Sequence, residues 1–259
     1  MLIAVTRPVS ATLAECELTH LAREPIDVAR ATAQHAAYER GLAELGVTII
    51  QVPTAPDLPD AVFVEDTAIV LPEIAVITRP GAPRRRLETP AVATVLAEYR
   101  SLSCLTPPAT LDGGDVLHVG RTLYVGRSGR SNAEGIEQLA RLVAPFGYRV
   151  LPVELSGCLH LKSAVTLVAE GLLLRNPTWV SAEPFQSLET IPVDPSEPSA
   201  ANALRVAGRV VHSAQFPRTA ERLGARGLEV VSIDCSELAK AEGAVTCCSL
   251  LFEAAAAAT

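Results

Sequence analysis

Aromatic residues are scarce in this chain, at 4% of the sequence with one tryptophan, and there is a single methionine. The apolar weight therefore falls on small and branched aliphatic side chains, which suit closely packed α/β layers. No window approaches the roughly 18 consecutive apolar residues that a membrane-crossing helix requires, so no membrane partner is expected. The run Met1-Leu2-Ile3-Ala4-Val5-Thr6 meets Arg7-Pro8 at once and is too short for a signal peptide. Basic charge is also in short supply: 22 Lys and Arg stand against 29 Asp and Glu, for a formal net charge of −7 and a pI near 5.3. Such a balance speaks against a nucleic-acid binder, which presents a basic face, and favours a small cationic partner. No Cys-x-x-Cys pair occurs among the six cysteines, at 16, 104, 158, 235, 247 and 248, so nothing suggests a zinc ribbon. The protein is expected to be cytoplasmic, with its thiols reduced.

What is present is 49% hydrophobic residues against 20% charged, enough for a large core in 259 residues. Residues 2–6 read as a short apolar strand, and 11–23, with no clean period, as a loop. Asp27 is placed to cap a helix carrying Val28, Ala31, Tyr38 and Leu42, with Gly46 to stop it. From there a theme recurs: a polar head opens a pair of apolar strands joined by a tight turn. The heads are Glu65-Asp66, Asp112-Gly113-Gly114-Asp115, His160-Leu161-Lys162-Ser163, Asn202 and Cys247-Cys248, spaced by about 40 to 50 residues. Helical segments are expected at 90–99, 132–146, 220–223 and 236–241. Each unit is then two strands, a helix and a strand. Five such units set radially close with the last strands beside the first and leave no long edge. Two ordinary α+β domains that share hairpins are the alternative. In the radial reading one domain spans 1–253, followed by an alanine-rich tail at 254–259.

Radial closure would gather the heads at one end of the axis, bringing Asp60, Glu65, Asp66, Asp112, Asp115, His160 and Cys247 into one pocket. Carboxylates so placed repel one another unless a cation joins them. Residues 243–252 read as a buried strand with two cysteines at its mouth, pointing to opposite faces. A buried inert cysteine is the commoner case. The company of an imidazole and several acids makes Cys247 the candidate nucleophile, His160 its acid and base, and Asp112 the group that orients His160. Two arginine groups, Arg79 to Arg86 and Arg127 to Arg130, follow successive hairpins at equivalent points. Solvated surface is their ordinary reading, but arginine also suits a carboxylate. A ligand with a cation at one end and a carboxylate at the other would satisfy both groups.

Phe63-Val64-Glu65-Asp66, Ile77-Thr78-Arg79-Pro80-Gly81-Ala82, Leu111-Asp112-Gly113-Gly114-Asp115, Leu159-His160-Leu161-Lys162, Ala200-Ala201-Asn202 and Thr246-Cys247-Cys248-Ser249 together resemble the dimethylarginine dimethylaminohydrolases, members of the guanidine-modifying or pentein superfamily. The match runs in order from about residue 5 to 251. It implies a five-bladed α/β propeller of pseudo-fivefold ββαβ repeats. It also implies hydrolysis of N-omega-methylated arginine to citrulline and a methylamine through a thiouronium on Cys247, with His160 as acid and then base. By the same resemblance Asp66 and Glu65 belong to the substrate site, Asp60 holds the α-amine, Arg85 and Arg130 hold the α-carboxylate, and Phe63 walls the guanidinium. Residues 14–20 correspond to the family's mobile lid. No cofactor and no metal is needed, although zinc can enter such a thiol–imidazole pocket as an inhibitor. A monomer or homodimer is expected. Three rivals remain: an arginine deiminase acting on free arginine, a metal- or thiol-sensing protein in which Cys247, His160 and the acids take a divalent ion, and an amidinotransferase.

Overall fold

The computed structural model describes residues 1–254. Strand β1 (Leu2–Thr6) leads to helix α1 (Val28–Glu44), whose cap Asp27 accepts the Arg30 N–H at 3.0 Å. Strand β2 (Thr48–Gln51) then returns parallel to β1. The next unit is β3 (Ala68–Val70), β4 (Ala75–Ile77), α2 (Thr89–Leu96) and β5 (Leu102–Cys104). After it come β6 (Val116–Val119), β7 (Thr122–Arg127), α3 (Ala133–Val143) and β8 (Arg149–Glu154). The one-turn helix α4 (Leu161–Ala164) opens the third unit, β9 (Val165–Ala169), β10 (Leu172–Arg175) and β11 (Glu189–Pro192). The fourth holds β12 (Ala203–Val206), β13 (Arg209–Ser213), α5 (Pro217–Ala225) and β14 (Val230–Ile233). A short α6 (Ser236–Ala239) and β15 (Leu250–Glu253) finish the described chain.

These strands form five three-stranded sheets: β3-β4-β5, β6-β7-β8, β9-β10-β11, β12-β13-β14 and β15-β1-β2. In each, an antiparallel pair is followed by a parallel return, which needs a crossover and receives a helix in four of the five. First strands line the centre, β9 beside β6 and β12, and β15 beside β3. The ring closes where β1 pairs β15, with Leu2 opposite Glu253 and Val5 opposite Leu250. This is the five-bladed α/β propeller. The β12–β13 hairpin turns on Ala207 at φ +48° and Gly208 at φ +82°, the mirror-image turn whose twist matches the strands it joins.

Several expectations need revision. The third unit crosses from β10 to β11 without an α-helix, using a 3-10 turn at Glu183–Phe185. A 3-10 turn at Leu13–Glu15 interrupts the loop expected at 11–23. The strand expected over 243–252 begins only at Leu250, and Cys247-Cys248 lies in a tight turn. The β-branched pattern is overridden because other blades take this segment's backbone groups: the Cys247 carbonyl accepts the Glu65 N–H at 3.1 Å, and the Thr246 N–H donates to Asn202 Oδ1 at 3.0 Å. Of the tail placed at 254–259, Ala254 still donates to the Met1 carbonyl, while 255–259 lie outside the described residues.

Hydrophobic packing joins helices to blades. Ala31, Tyr38 and Leu42 of α1 lie with Ala4, Val211, Ile233 and Val245, while Ile136, Leu139 and Val143 of α3 cover Leu123 and Val125. Leu42 is fully buried and Leu87 is 70% exposed. Leu42→Ala is therefore expected to cost about 2–5 kcal/mol in urea unfolding, through lost burial and the cavity left behind. Leu87→Ala should stay within about 0.5 kcal/mol; equal losses at both sites would contradict the packing described.

Candidate active site

Each polar head ends up at one mouth of the propeller because it occupies the tight turn that feeds a central strand. Glu65 and Asp66 sit on a 3-10 turn at Val64–Thr67, Asp115 on another at Gly113–Asp115, and His160 directly before α4. The heads are tied to one another. The Gly114 N–H donates to Asp66 Oδ1 at 2.9 Å, the Leu161 N–H to Asp115 Oδ1 at 3.0 Å, and the Asn202 side-chain amide to Thr246 Oγ1 at 2.9 Å. Gly114 allows this approach: a Cβ there would lie 2.7 Å from both Asp66 Oδ1 and His160 Nδ1. The turn glycines thus admit other protein groups rather than a ligand.

Inside this mouth is a cavity of ≈20 Å³, room for about one water, lined by Asp60, Phe63, Asp66, Arg85, Arg130, His160 and Cys247, with Glu17, Leu159, Ala241 and Glu242. Cys247 is half-buried against it, whereas Cys248 is buried in the core among Tyr38 and Val245. Gly243 lets the chain before Cys247 pass close to the Phe63 ring, which a Cβ at that position would strike. Asp112 is fully buried behind His160, accepting from His160 Nε2 at 3.0 Å and from the Gly81 N–H at 2.8 Å. It touches the ring, not the cavity.

Three residues lie or pair differently from expectation. Glu65 does not line this cavity; its carboxylate turns toward the central channel, pairing with Lys162 Nζ at 2.6 Å and accepting from Thr246 Oγ1 at 2.7 Å. Arg85 lines the cavity but is committed to protein acids: Nη1 donates to Asp66, Nε and Nη2 to Glu88, and Nη2 also to the Phe63 carbonyl. One Nη1 proton remains for a ligand. Asp115, expected in the pocket, is a structural beam. Its Oδ2 accepts from Ser131 at 2.6 Å and from Ser128 at 2.5 Å, and its Oδ1 from the backbone that begins α4.

The expected repulsion among the acids is met largely by cations and hydrogen-bond donors of the chain itself. Burial opposes ionisation of Asp66, but His160, Arg85 and the Gly114 N–H outweigh it and hold the carboxyl well below the usual range. Burial likewise opposes a charged His160, yet Asp66, the hydrogen bond to Asp112 and the nearby Asp115 raise it to about 9. Burial pushes Asp115 up to about 6. Asp60 is raised by burial in spite of Arg85, and among the described residues its carboxylate is held by the Glu17 N–H alone, at 3.1 and 3.3 Å. Of the two buried acids in the cavity, Asp60 and Asp66, it is the one less occupied by the protein. Burial, then Glu65 and Asp66, push the Cys247 thiol up. At neutral pH the resting pair is a thiol beside an imidazolium.

Asp66, Asp112 and His160 approach one another closely enough to offer three atoms to a metal ion. Their donors are already employed: Asp66 takes Arg85 and Gly114, and Asp112 takes His160 and Gly81. A nitrogen that donates a proton to a carboxylate has no lone pair for a metal.

Sequence reasoning assigned no role to Glu88, which pins Arg85 and is itself pushed up by burial to about 7. Nor did it assign one to Lys162, Thr246 or Asn202, although all three sit in the quoted motifs. Cys158, whose thiol donates to the His160 carbonyl at 3.5 Å, carried no signal beyond its position beside the motif.

A family model described as N,N dimethylarginine dimethylhydrolase, eukaryotic, matches residues 18–175. An N(G),N(G)-dimethylarginine dimethylaminohydrolase of Streptomyces coelicolor is 42% identical over 248 residues, 95% of each chain. The protein of that name from Pseudomonas aeruginosa is 36% identical over 228 residues, 87% of this chain and 90% of the relative. A solved structure of the P. aeruginosa protein, a Cys-to-Ser mutant complexed with citrulline, superposes with a TM-score of 0.92 at 35% identity, covering 96% of this chain and 98% of that one. With that likeness along its length, and with a thiol, an imidazole and paired acids brought to one mouth of a five-bladed propeller, the chain belongs to the dimethylarginine dimethylaminohydrolase family.

Proposed function

We propose that this protein hydrolyses N-omega-methylated arginine to citrulline and a methylamine, with Cys247 as nucleophile, His160 as acid and base, and Asp112 as the group that orients His160. The observation that carries the reading is the charge inventory of one closed cavity: a half-buried thiol, an imidazolium, an acid with little protein company in Asp60, and Arg130. A ligand with a guanidinium, an ammonium and a carboxylate complements that set. Asp66 faces the guanidinium, Phe63 walls it, and Asp60 takes the α-ammonium. Arg130 takes the carboxylate, with the remaining Nη1 proton of Arg85 beside it. Glu65 acts from behind, fixing Thr246 next to the nucleophile. Six free cysteines and a small-molecule substrate suit the cytoplasm.

The resting thiol becomes reactive when the substrate arrives: a guanidinium beside the sulfur stabilises the thiolate that burial disfavours, and the thiol proton leaves to solvent because His160 is already charged. Sγ attacks the guanidinium carbon and a tetrahedral centre forms. The bond to the methylated nitrogen breaks as His160, whose Nε2 is held by Asp112, passes the proton of its other nitrogen to the departing amine. The thiouronium left on Cys247 is attacked by water, which gives a proton back to His160. The C–S bond breaks, the remaining proton of the former water passes to solvent as the carbonyl of citrulline forms, and the thiolate is restored.

Incubation with asymmetric dimethylarginine and assay for citrulline tests this directly, with unmethylated arginine as the parallel substrate. Faster turnover of arginine would favour a deiminase. Cys247→Ser is expected to fold and to lose about three to four orders of magnitude in kcat; retained turnover removes Cys247 as nucleophile. Because His160 of the free protein stays protonated up to about pH 9, kcat/KM should fall as pH rises through that value. Asp112→Asn removes one of the charges that raise His160, so this basic limb should move down by about one unit; an unmoved limb would take Asp112 out of its role. Arg130→Ala should raise KM roughly 10- to 100-fold, the worth of a charge-assisted hydrogen bond, with a smaller effect on kcat. An unchanged KM would make Arg130 a surface residue.

A further inference from the structure

Helix α6 ends in an uncommon way. The Gly243 N–H returns to the Leu238 carbonyl at 3.0 Å and the Glu242 N–H to Ala239 at 3.1 Å. This is the helix-ending motif whose penultimate residue adopts the left-handed conformation and is usually glycine. Here that residue is Glu242, at φ +58°. A glutamate accepts a backbone conformation unfavourable to it although a glycine stands next in sequence.

What the glutamate makes there is a set of three hydrogen bonds. Successive backbone N–H groups of Thr19, His20 and Leu21 all donate to its carboxylate, Thr19 to Oε2 at 2.9 Å, and His20 and Leu21 to Oε1 at 2.5 and 2.7 Å. Consecutive N–H groups converging in this way form a concave anion site, and the chain supplies the anion from more than 220 positions away. The same strap is held at two further points. The Glu17 N–H donates to Asp60, and Arg130 Nη2 donates to Thr19 Oγ1 at 3.0 Å. All three fastenings come from residues that line the substrate cavity.

The strap separates two spaces. On the inner side is the cavity of ≈20 Å³ that holds Cys247 and His160. On the outer side is one of ≈440 Å³, bordered by His20, Leu21, Trp179 and Phe216. Leu159 and Glu242 border both. The inner cavity has no room for an arginine, so the strap must move for a substrate to enter.

We propose that Glu242 is the positioning residue that latches residues 17–21 over the active site, and that release of its carboxylate opens the inner cavity into the outer one as the substrate's way in. The proposal rests on the functional reading above for what enters, not for the latch. Asp60 and Arg130 face the substrate as well as the strap, so a bound amino acid engages the groups that hold it shut. Glu242 is the fastening that belongs to the strap.

Glu242→Gly separates this role from a structural one, because glycine relieves the left-handed position while removing the latch. Its melting temperature should match or exceed that of the wild type. Amide exchange at residues 19–21 and iodoacetamide alkylation of Cys247, followed by peptide mass spectrometry, should each quicken roughly tenfold, as expected for loss of hydrogen bonds to a charged acceptor. Exposed Cys104 should alkylate at an unchanged rate. Glu242→Asp, which keeps the carboxylate, should recover part of both protections. Unchanged exchange and alkylation in a folded Glu242→Gly protein would overturn the latch. Exchange and alkylation need no substrate, so a wild-type protein that forms no citrulline would refute the functional reading and leave the latch standing.

Discussion

Ionised carboxylates gathered at the mouth of a propeller must each find a donor or a cation, and the rest of this structure follows from how they do. Asp66 takes Arg85, Asp112 takes His160, Glu65 takes Lys162, and Asp115 takes two serines and the backbone that begins α4. Asp112 with His160, Glu65 with Lys162, and Asp115 with the Leu161 N–H cross between units of the chain, whereas Asp66 with Arg85 and Asp115 with its serines lie within one. The crossing pairs are therefore also pins that hold the blades in register around the axis. A buried ion pair adds little net stability over an apolar contact, but breaking one strands a charge and is costly. Such pairs fix a unique arrangement, which a site built from five separate turns requires.

That arrangement also sets the protonation states. Acids paired with cations stay ionised, and their summed charge raises His160 while burial and the same acids suppress the thiolate of Cys247. The free site thus keeps its imidazole charged and its thiol protonated. A guanidinium entering the cavity acts on the thiol, while Asp112, behind the ring and away from the cavity, keeps its hydrogen bond to His160. One cation changes the pair from resting to reactive, and a molecule without that charge leaves the sulfur protonated.

The parts legible in the sequence were those marked by repetition or residue type. Five polar heads at near-equal spacing gave the five units, and Asp27 and Gly46 bounded α1. The motifs around Asp66, Asp112, His160 and Cys247 gave the family. What stayed hidden depends on distance in the chain. Nothing near Glu88 announces that it will pin Arg85, and nothing near Glu242 announces three N–H groups from residues 19–21. The strand expected through Cys247 failed for the same reason. Local β-branched preference counts for little when Asn202 and Glu65, from other blades, claim the backbone of Thr246 and Cys247.

The place of the proposed nucleophile is finally a matter of ring closure. Cys247 precedes β15 by three positions, and β15 is held by the first strand of the chain. Between them, Ser249 Oγ meets the buried hydroxyl of Tyr38 on α1 at 2.7 Å, and Cys248 packs beside that ring. The turn that carries the thiol is thus anchored on one side by the N-terminal strand and helix, and on the other by Glu65 and Asn202. Closing the propeller and aiming the sulfur are one event, since the pairing of the last strand with the first is also what draws the cysteine turn down onto the acids. A substitution that loosens β1 or α1, though far from the cavity in sequence, acts on the sulfur's position as directly as one beside it.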